Sequence, residues 1–382
     1  MECTLKLKYV LFFIGIYFIC LINLSTLTLT APSLVYFSQH LIQILPIMIA
    51  LVEIIKGGTT LEELFVFFLL FSISLIIYFS SKNMQPIYFL LISFSFRKES
   101  ISRIIQGFFI TYTLLLVSIL LLLKLGIVFS VTQYNDISNT IKISQGFVQP
   151  NSLGLVLFII LVSYLYIKTQ RNEEKENKNI LTFVGFFFEF VIVYLLYKSG
   201  VRSAQFAVII AYSYYFIIKI KNKEMKRKIL VSTTYLLFFS SILLSLFSLN
   251  NKVLSQSGIW HSLDGFFSYR FSMGYLYYLK SGLSFFGKPF SYLDNNIYQI
   301  NITVDNFYQH VLLNLGLVSF FAILLYFMFT LNYIFKKNQL TLLIPFVSFI
   351  IYGLGESSIM YFYAGFIFYF IPLFYKDYNE MI

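Results

Sequence analysis

Long apolar runs separated by short polar segments dominate the chain. Crossing the hydrocarbon core takes roughly 20 apolar residues in a helix, or fewer for a tilted segment. By that length the pattern predicts twelve spans, at 9–29, 34–55, 61–80, 84–96, 104–130, 150–168, 180–197, 203–220, 229–250, 306–335, 340–354 and 357–375. The short runs 84–96 and 340–354 suit tilted or re-entrant elements. We therefore expect one all-α, polytopic membrane domain over residues 1–382.

Two segments between the predicted spans are longer than tight turns. They are 131–149 and 250–305, the second lying between the ninth and tenth spans. Long loops in compact proteins are usually functional or disordered. The second loop is rich in aromatic residues, which argues against disorder. It is expected to form an external subdomain, with an amphipathic helix between Ser262 and Ser284 at the membrane surface.

Composition supports the membrane class, because 58% hydrophobic and 12% charged residues fit no soluble class. The net charge of +11 is concentrated in the segments predicted to lie inside. Positive loops are retained in the cytoplasm, so both termini are predicted to be cytoplasmic in a multi-pass plasma-membrane protein. The charge thus indicates topology and contact with anionic lipid rather than nucleic acid. Cys3 and Cys20 form no disulfide or metal-ligand pattern and are expected to be free.

Cationic side chains in the predicted external segments are candidates for binding an anion. Arg202 lies in a Gly- and Ser-containing turn, whereas Arg270, Lys280 and Lys288 lie in the large loop. A guanidinium offers a planar fork of donors that suits a diphosphate. The alternative for Arg202 is an interfacial arginine that reaches lipid phosphate.

The segment 305–316 places three polar side chains where the large loop meets the tenth predicted span. Asp305, Asn306 and His310 could supply a general base and hydrogen-bond donors to a sugar hydroxyl. The alternative is a helix cap formed by Asp305 or Asn306. The two roles are compatible.

Glu189 is the one carboxylate that the sequence places in the middle of a predicted span. An ion pathway would need ionisable partners on neighbouring spans. No partner is evident at matching depth, so a neutral, hydrogen-bonded glutamate that holds helices together is favoured. The sequence also contains no recognised nucleotide-binding loop or Cys/His metal cluster, and no cofactor is predicted.

Several of these segments together resemble the Wzy-type polysaccharide polymerases and the related O-antigen ligases. GFVQPNSLG (146–154), with Gln149 and Asn151, resembles the family's Pro-Asn-x-x-Gly start of a span. SGVRSA (199–204) resembles its turn with an arginine. LSFFGKP (283–289) followed by DNFYQHVLLNLGLVSF (305–320) resembles the large external loop and its return helix. The resemblance covers roughly residues 100–335.

The resemblance implies a GT-C-like membrane glycosyltransferase that needs no metal. Its donor and acceptor would be undecaprenyl-diphosphate-linked oligosaccharides at the outer face, joined into capsular, exopolysaccharide or O-antigen chains. A flippase and a chain-length regulator of the same pathway are the implied partners. The implied catalytic residues are Arg202, Arg270, Asp305 and His310, and the implied substrate-binding residues are Gln149, Asn151, Lys280, Lys288, Asn306 and Tyr308.

One departure from the family pattern affects the predicted base. The ligases begin the return helix with a histidine followed by Asn, whereas Asp305 stands before Asn306 here and His310 follows five residues after Asp305. Asp305 is slightly favoured as the base, and a polymerase over a ligase. A flippase for the same lipid-linked substrate is the alternative from another class, although the sequence has no convincing internal repeat.

Overall fold

The protein is described by a computed structural model that covers residues 2–56, 59–135, 140–173, 179–250, 258–290 and 304–370. The chain divides into two compact units. The first comprises Met1–Gly58, Leu91–Tyr215 and Phe368–Ile382. The second comprises Thr59–Leu90 and Phe216–Ile367.

The first unit consists of helices and one small hairpin. It holds α1 (Glu2–Leu24), α2 (Leu27–Thr30), α3 (Pro32–Lys56), α6 (Ile101–Lys124), β1 (Thr132–Asn135), β2 (Thr140–Ile143), α7 (Pro150–Glu173) and α8 (Asn179–Ser199). Strands β1 and β2 pair antiparallel, with Thr132 opposite Ile143. In the most apolar stretch of α7, within Pro150–Arg171, 83% of the residues are buried, and they contribute to the core of this unit.

The second unit contains helices and no strand among its described residues. It holds α4 (Leu61–Ser81), α10 (Lys223–Phe247), α11 (Gly258–Phe266), α12 (Arg270–Ser281), α13 (Phe307–His310), α14 (Gly316–Lys336) and α15 (Leu343–Tyr352). A π-helical segment, Val311–Leu315, joins α13 to α14. Helices α5 (Gln85–Phe96) and α9 (Arg202–Ile218) each begin in one unit and end in the other.

Local sequence signals explain several of these helix starts. Thr60 and Glu63 form a reciprocal capping box at α4. Asn222 caps α10 by accepting a hydrogen bond from the Met225 backbone N–H. Pro150 occupies the first position of α7, where its missing N–H costs nothing.

Within the described residues, seven helices are long and apolar enough to cross a membrane. They are Leu7–Leu24, Pro32–Lys56, Leu61–Ser81, Ile101–Lys124, Pro150–Arg171, Lys223–Phe247 and Phe307–Lys336. Two shorter apolar helices, Gln85–Phe96 and Leu340–Tyr352, match the short predicted runs. The predominantly helical architecture is therefore confirmed and these helices fit a multi-pass membrane protein, while twelve remains a predicted number of spans. Helices α8 and α9 coincide with two further predicted spans but fall outside the seven.

The predicted span 357–375 is wrong as a continuous helix in its described part. Residues 357–370 form two 3₁₀ turns, Ser357–Met360 and Phe366–Tyr369, and the rest of the run lies outside the described residues. Hydropathy reports apolarity and not backbone conformation. Ile359, Phe362 and Ala364 are buried at 1%, 0% and 0% exposure, and irregular backbone at membrane depth is tolerated where protein covers it.

The large predicted external loop contains two helices in its described part. Helices α11 and α12 are joined by a turn in which Ser268 and Tyr269 adopt the left-handed conformation, with φ of 59° and 62°. The amphipathic segment predicted within Ser262–Ser284 is thus a pair of short helices. The turn separates them because non-glycine residues rarely adopt positive φ within a helix.

Candidate functional site

Arg270 lies between two carboxylates in the second unit. Its Nη2 atom is 2.9 Å from Oε1 of Glu356 and 3.8 Å from Oδ2 of Asp305. The Arg270 and Glu356 side chains are 11% and 7% exposed, whereas that of Asp305 is 35% exposed. The three groups therefore form a charged cluster that is buried on one side and open on the other.

A capped turn places Arg270 at the first position of α12. Asp264, at 3% exposure, accepts hydrogen bonds from the backbone N–H groups of Phe271 at 3.0 Å and Ser272 at 3.4 Å. Its second carboxylate oxygen accepts a hydrogen bond from the Ser272 hydroxyl. These bonds stabilise the two left-handed residues that precede Arg270, a conformation that costs about 1–3 kcal/mol per residue. The direction in which Arg270 leaves the helix is thereby fixed.

Asn306 links the chain segment that carries Asp305 to the segment that leads to Glu356. Its Oδ1 accepts a hydrogen bond from the Gln309 backbone N–H and caps α13. Its Nδ2 donates to the Ser245 hydroxyl at 3.1 Å and to the Leu354 carbonyl at 3.0 Å. The segment with Asp305 is consequently fastened to the segment that leads to Glu356.

The electrostatics of the cluster differ from those of an open cationic clamp. With both carboxylates ionised, one positive and two negative groups leave a net charge of −1. Burial by itself would lower the pKa of Arg270, but attraction from Glu356 and Asp305 outweighs it and raises that pKa above its usual value. Arg270 thus stays cationic, and an anionic ligand must compete with carboxylates for it.

One nitrogen of the Arg270 guanidinium has an unused hydrogen-bonding capacity. Nη1 is buried and has no hydrogen-bond partner among the described residues. Leaving a buried donor unsatisfied costs roughly 1–3 kcal/mol, and more for a charged group. A ligand oxygen at this position would remove that cost.

His310 lies close to the cluster in sequence but is held by other contacts. One ring nitrogen, Nδ1, is 3.1 Å from the Val304 carbonyl oxygen. The ring also packs edge-on against Phe290, with centroids 4.6 Å apart. Of the two predicted bases, Asp305 is the one in contact with Arg270.

Two predicted substrate-binding residues are buried within the fold. Asn306 is 0% exposed, and Tyr308 is 1% exposed with its hydroxyl donating to the Ile350 carbonyl at 3.0 Å. Asn306 therefore adopts the cap that the sequence offered as its alternative. Neither side chain faces a surface from which it could contact a substrate.

The two predicted lysines of the loop differ in their surroundings. Lys280 is exposed in the last turn of α12, where a cation also interacts favourably with the helix dipole. The ammonium group of Lys288 donates a hydrogen bond to the Ser281 carbonyl. Lys280 is consequently the more accessible of the two for an anion.

The remaining predicted residues belong to the first unit. Arg202 is the first residue of α9 and is half-buried. A Cβ atom on Gly154 would lie 2.8 Å from Cβ of Val201, so only glycine allows the start of α7 to meet the turn before Arg202. Asn151 is half-buried in the first turn of α7, and Gln149 is exposed just before it. The resembling stretches 146–154 and 199–204 are therefore neighbours in this unit.

Glu356 was missed by the sequence reasoning, although a signal was present. It falls in GLGESS between the predicted spans 340–354 and 357–375, on the predicted outer side. A carboxylate between two apolar runs needs a partner, and Arg270 was one of the unexplained cations on that side. The pairing itself depends on the path of residues 357–370, which the hydropathy pattern predicted incorrectly.

Glu189 does have a partner, which corrects the expectation of none. The ammonium group of Lys168 on α7 donates a hydrogen bond to Glu189 Oε1 on α8. The sequence placed Lys168 at the inner end of its span and therefore out of reach. The long lysine side chain covers that distance, and the pair fastens α7 to α8.

Comparison with protein-family models, curated proteins and solved structures finds no match for this chain. The site must therefore be judged by its chemistry. Arg270 and the partly exposed Asp305 lie side by side. A fixed cation can bind an anionic leaving group, and a carboxylate next to it can accept a proton from a hydroxyl.

Proposed function

We propose that the protein is a membrane glycosyltransferase that polymerises polyprenyl-diphosphate-linked oligosaccharide repeat units at the outer face of the plasma membrane. The observation that carries this proposal is Arg270, which lies 3.8 Å from the partly exposed carboxylate of Asp305 and has a buried Nη1 without a hydrogen-bond partner among the described residues. The resemblance to the Wzy-type polymerases supplies the substrate class.

The proposed reaction uses the two groups at different bonds. A sugar hydroxyl of the acceptor attacks the anomeric carbon of the donor, and a new C–O bond forms. The bond between that carbon and the diphosphate oxygen breaks, and its electron pair leaves with the diphosphate. The hydroxyl proton passes to Asp305, while Arg270 stabilises the negative charge that develops on the leaving group.

Arg202, in the first unit, is proposed as a separate cation that binds an anionic group of the substrate. Its position at the first residue of α9 combines a guanidinium with the partial positive charge of a helix start. Because Arg202 belongs to the first unit and Arg270 to the second, a separate variant tests the role of Arg202.

Arg202→Ala and Arg270→Ala test the proposal in cells that lack the chromosomal gene. Each variant is expected to leave lipid-linked single repeats on the outer face while long chains disappear. Arg270→Lys should restore activity only partly, because an ammonium lacks the planar fork. The matched control is Arg227→Ala, since Arg227 is exposed and lies on α10 in a predicted cytoplasmic segment.

The distribution of products separates the alternatives. Normal chain lengths from both arginine variants would contradict the proposal. Repeat units trapped inside the cell would instead indicate a flippase. Complete chains that are not attached to their acceptor would indicate a ligase-like transferase.

A further inference from the structure

The two carboxylates that share Arg270 are not equivalent. Glu356 is buried and contacts Nη2 at 2.9 Å, whereas Asp305 is about one-third exposed and contacts the same nitrogen at 3.8 Å. The longer distance exceeds the 2.7–2.9 Å that is typical of a charge-assisted hydrogen bond. Asp305 is thus the loosely held partner and Glu356 the firmly held one.

The backbone beside both carboxylates is held by one residue. Asn306, which follows Asp305, donates a hydrogen bond from its side chain to the carbonyl of Leu354, two residues before Glu356. The difference between the two carboxylates therefore lies in their side chains, since that of Asp305 is 35% exposed and that of Glu356 is 7% exposed. A change of partner at Arg270 requires only that the Asp305 side chain turns away.

We infer that Glu356 is a positioning residue that holds Arg270, and that Asp305 is a partner displaced from Arg270 by the diphosphate of the donor. This inference rests on the proposed function. A diphosphate oxygen would take the position of Asp305 at Nη2 and satisfy the buried Nη1 as well. Displacement leaves the Asp305 carboxylate without a cation, ready to accept the proton of the acceptor hydroxyl.

This exchange couples donor binding to activation of the base. Before the donor binds, the Asp305 carboxylate lies beside a guanidinium, whose positive charge disfavours transfer of a proton to it from water or another hydroxyl. After it binds, the same guanidinium stabilises the leaving group while Asp305 is released. The chemistry is then confined to the complex that contains the donor.

Equilibrium binding of polyprenyl diphosphate to the purified full-length protein tests the exchange without any turnover. Asp305→Asn removes the competing charge, so it should bind about threefold to tenfold more tightly than the wild type. The same variant should lose roughly 10²- to 10⁴-fold in kcat with a lipid-linked repeat unit. Glu356→Gln should bind more weakly, because Arg270 is no longer held in place.

Arg270→Ala provides the control, because the effect of Asp305→Asn on binding should vanish in that background. Weaker binding by Asp305→Asn, or an equal gain in the Arg270→Ala background, would overturn the exchange. If Glu356→Gln fails to fold, the comparison of Asp305→Asn in the wild-type and Arg270→Ala backgrounds still tests the exchange. Absence of any oligomer from the wild type would instead reject the proposed function, whatever the binding results.

Discussion

At the scale of single residues, the proposed reaction depends on which side chain accepts the proton of the acceptor hydroxyl. Asp305 is partly exposed and contacts Arg270, whereas the His310 ring contacts the Val304 carbonyl and Phe290. The sequence predicted both as candidates, because residue type and position at the start of a helix can be read from the chain. It did not predict Glu356 as the second partner of Arg270, because that contact joins segments far apart in sequence.

Replacing each candidate base by a residue of similar shape distinguishes them. Asp305→Asn should lower kcat by roughly 10²- to 10⁴-fold, since general-base catalysis contributes that much. His310→Asn should lower kcat much less, because it removes a packed ring and not the base. Rates with a defined lipid-linked repeat unit measure both. A larger loss from His310→Asn, in a protein with unchanged thermal stability, would transfer the role to His310.

At the scale of elements, the first unit contains a buried network of charged side chains that the hydropathy pattern does not predict. Lys8 on α1 contacts Glu53 on α3 at 2.9 Å and Glu99 at 2.9 Å, and Arg97 contacts Glu53 at 3.2 Å. Lys8 also donates to the Ser95 carbonyl at 2.7 Å. The charge pattern assigned Lys8 and Arg97 to the cytoplasmic side without predicting any partner for them, yet their side chains are 2% and 1% exposed. Their role is to fasten α1, α3 and the turn after α5.

Lys8→Met should destabilise the protein by roughly 3–5 kcal/mol, because it leaves buried carboxylates without their cation. Adding Glu99→Gln should restore part of that loss, since it removes one uncompensated charge. Thermal unfolding in detergent measures the changes. Lys228→Met is the control, because Lys228 is 77% exposed and pairs only at the surface of α10. A Lys8→Met protein as stable as this control would contradict the role assigned to the network.

The elements also show where apolar periodicity succeeds and fails. It predicted α3, α4 and α10 well, because a helix that crosses lipid must be apolar along its length. It missed β1 and β2, whose residues carry no long alternating pattern, and the π-helical segment 311–315. It also merged 357–370 into a helix, because protein-covered irregular backbone is as apolar as a span.

At the scale of the whole molecule, the distribution of basic residues predicts the sidedness. Labelling of single cysteines by an impermeant maleimide tests this prediction in intact cells, in a background with Cys3→Ser and Cys20→Ser. Cys20 is buried and free, and the Cys3 side chain lies outside the described residues. His261→Cys should react from outside and Lys228→Cys only after lysis, and both positions are exposed. The opposite pattern would place the Arg270 cluster on the cytoplasmic side.

The central claim is that the chain itself joins lipid-linked repeat units through Arg270 and Asp305. The most direct measurement incubates the purified wild type with one defined polyprenyl-diphosphate-linked repeat unit, without nucleotide and with a metal chelator present. A ladder of oligomers is expected from the wild type, and unchanged single repeats are expected from Arg270→Ala. Unchanged single repeats from a folded wild type, or the same ladder from Arg270→Ala, would contradict it.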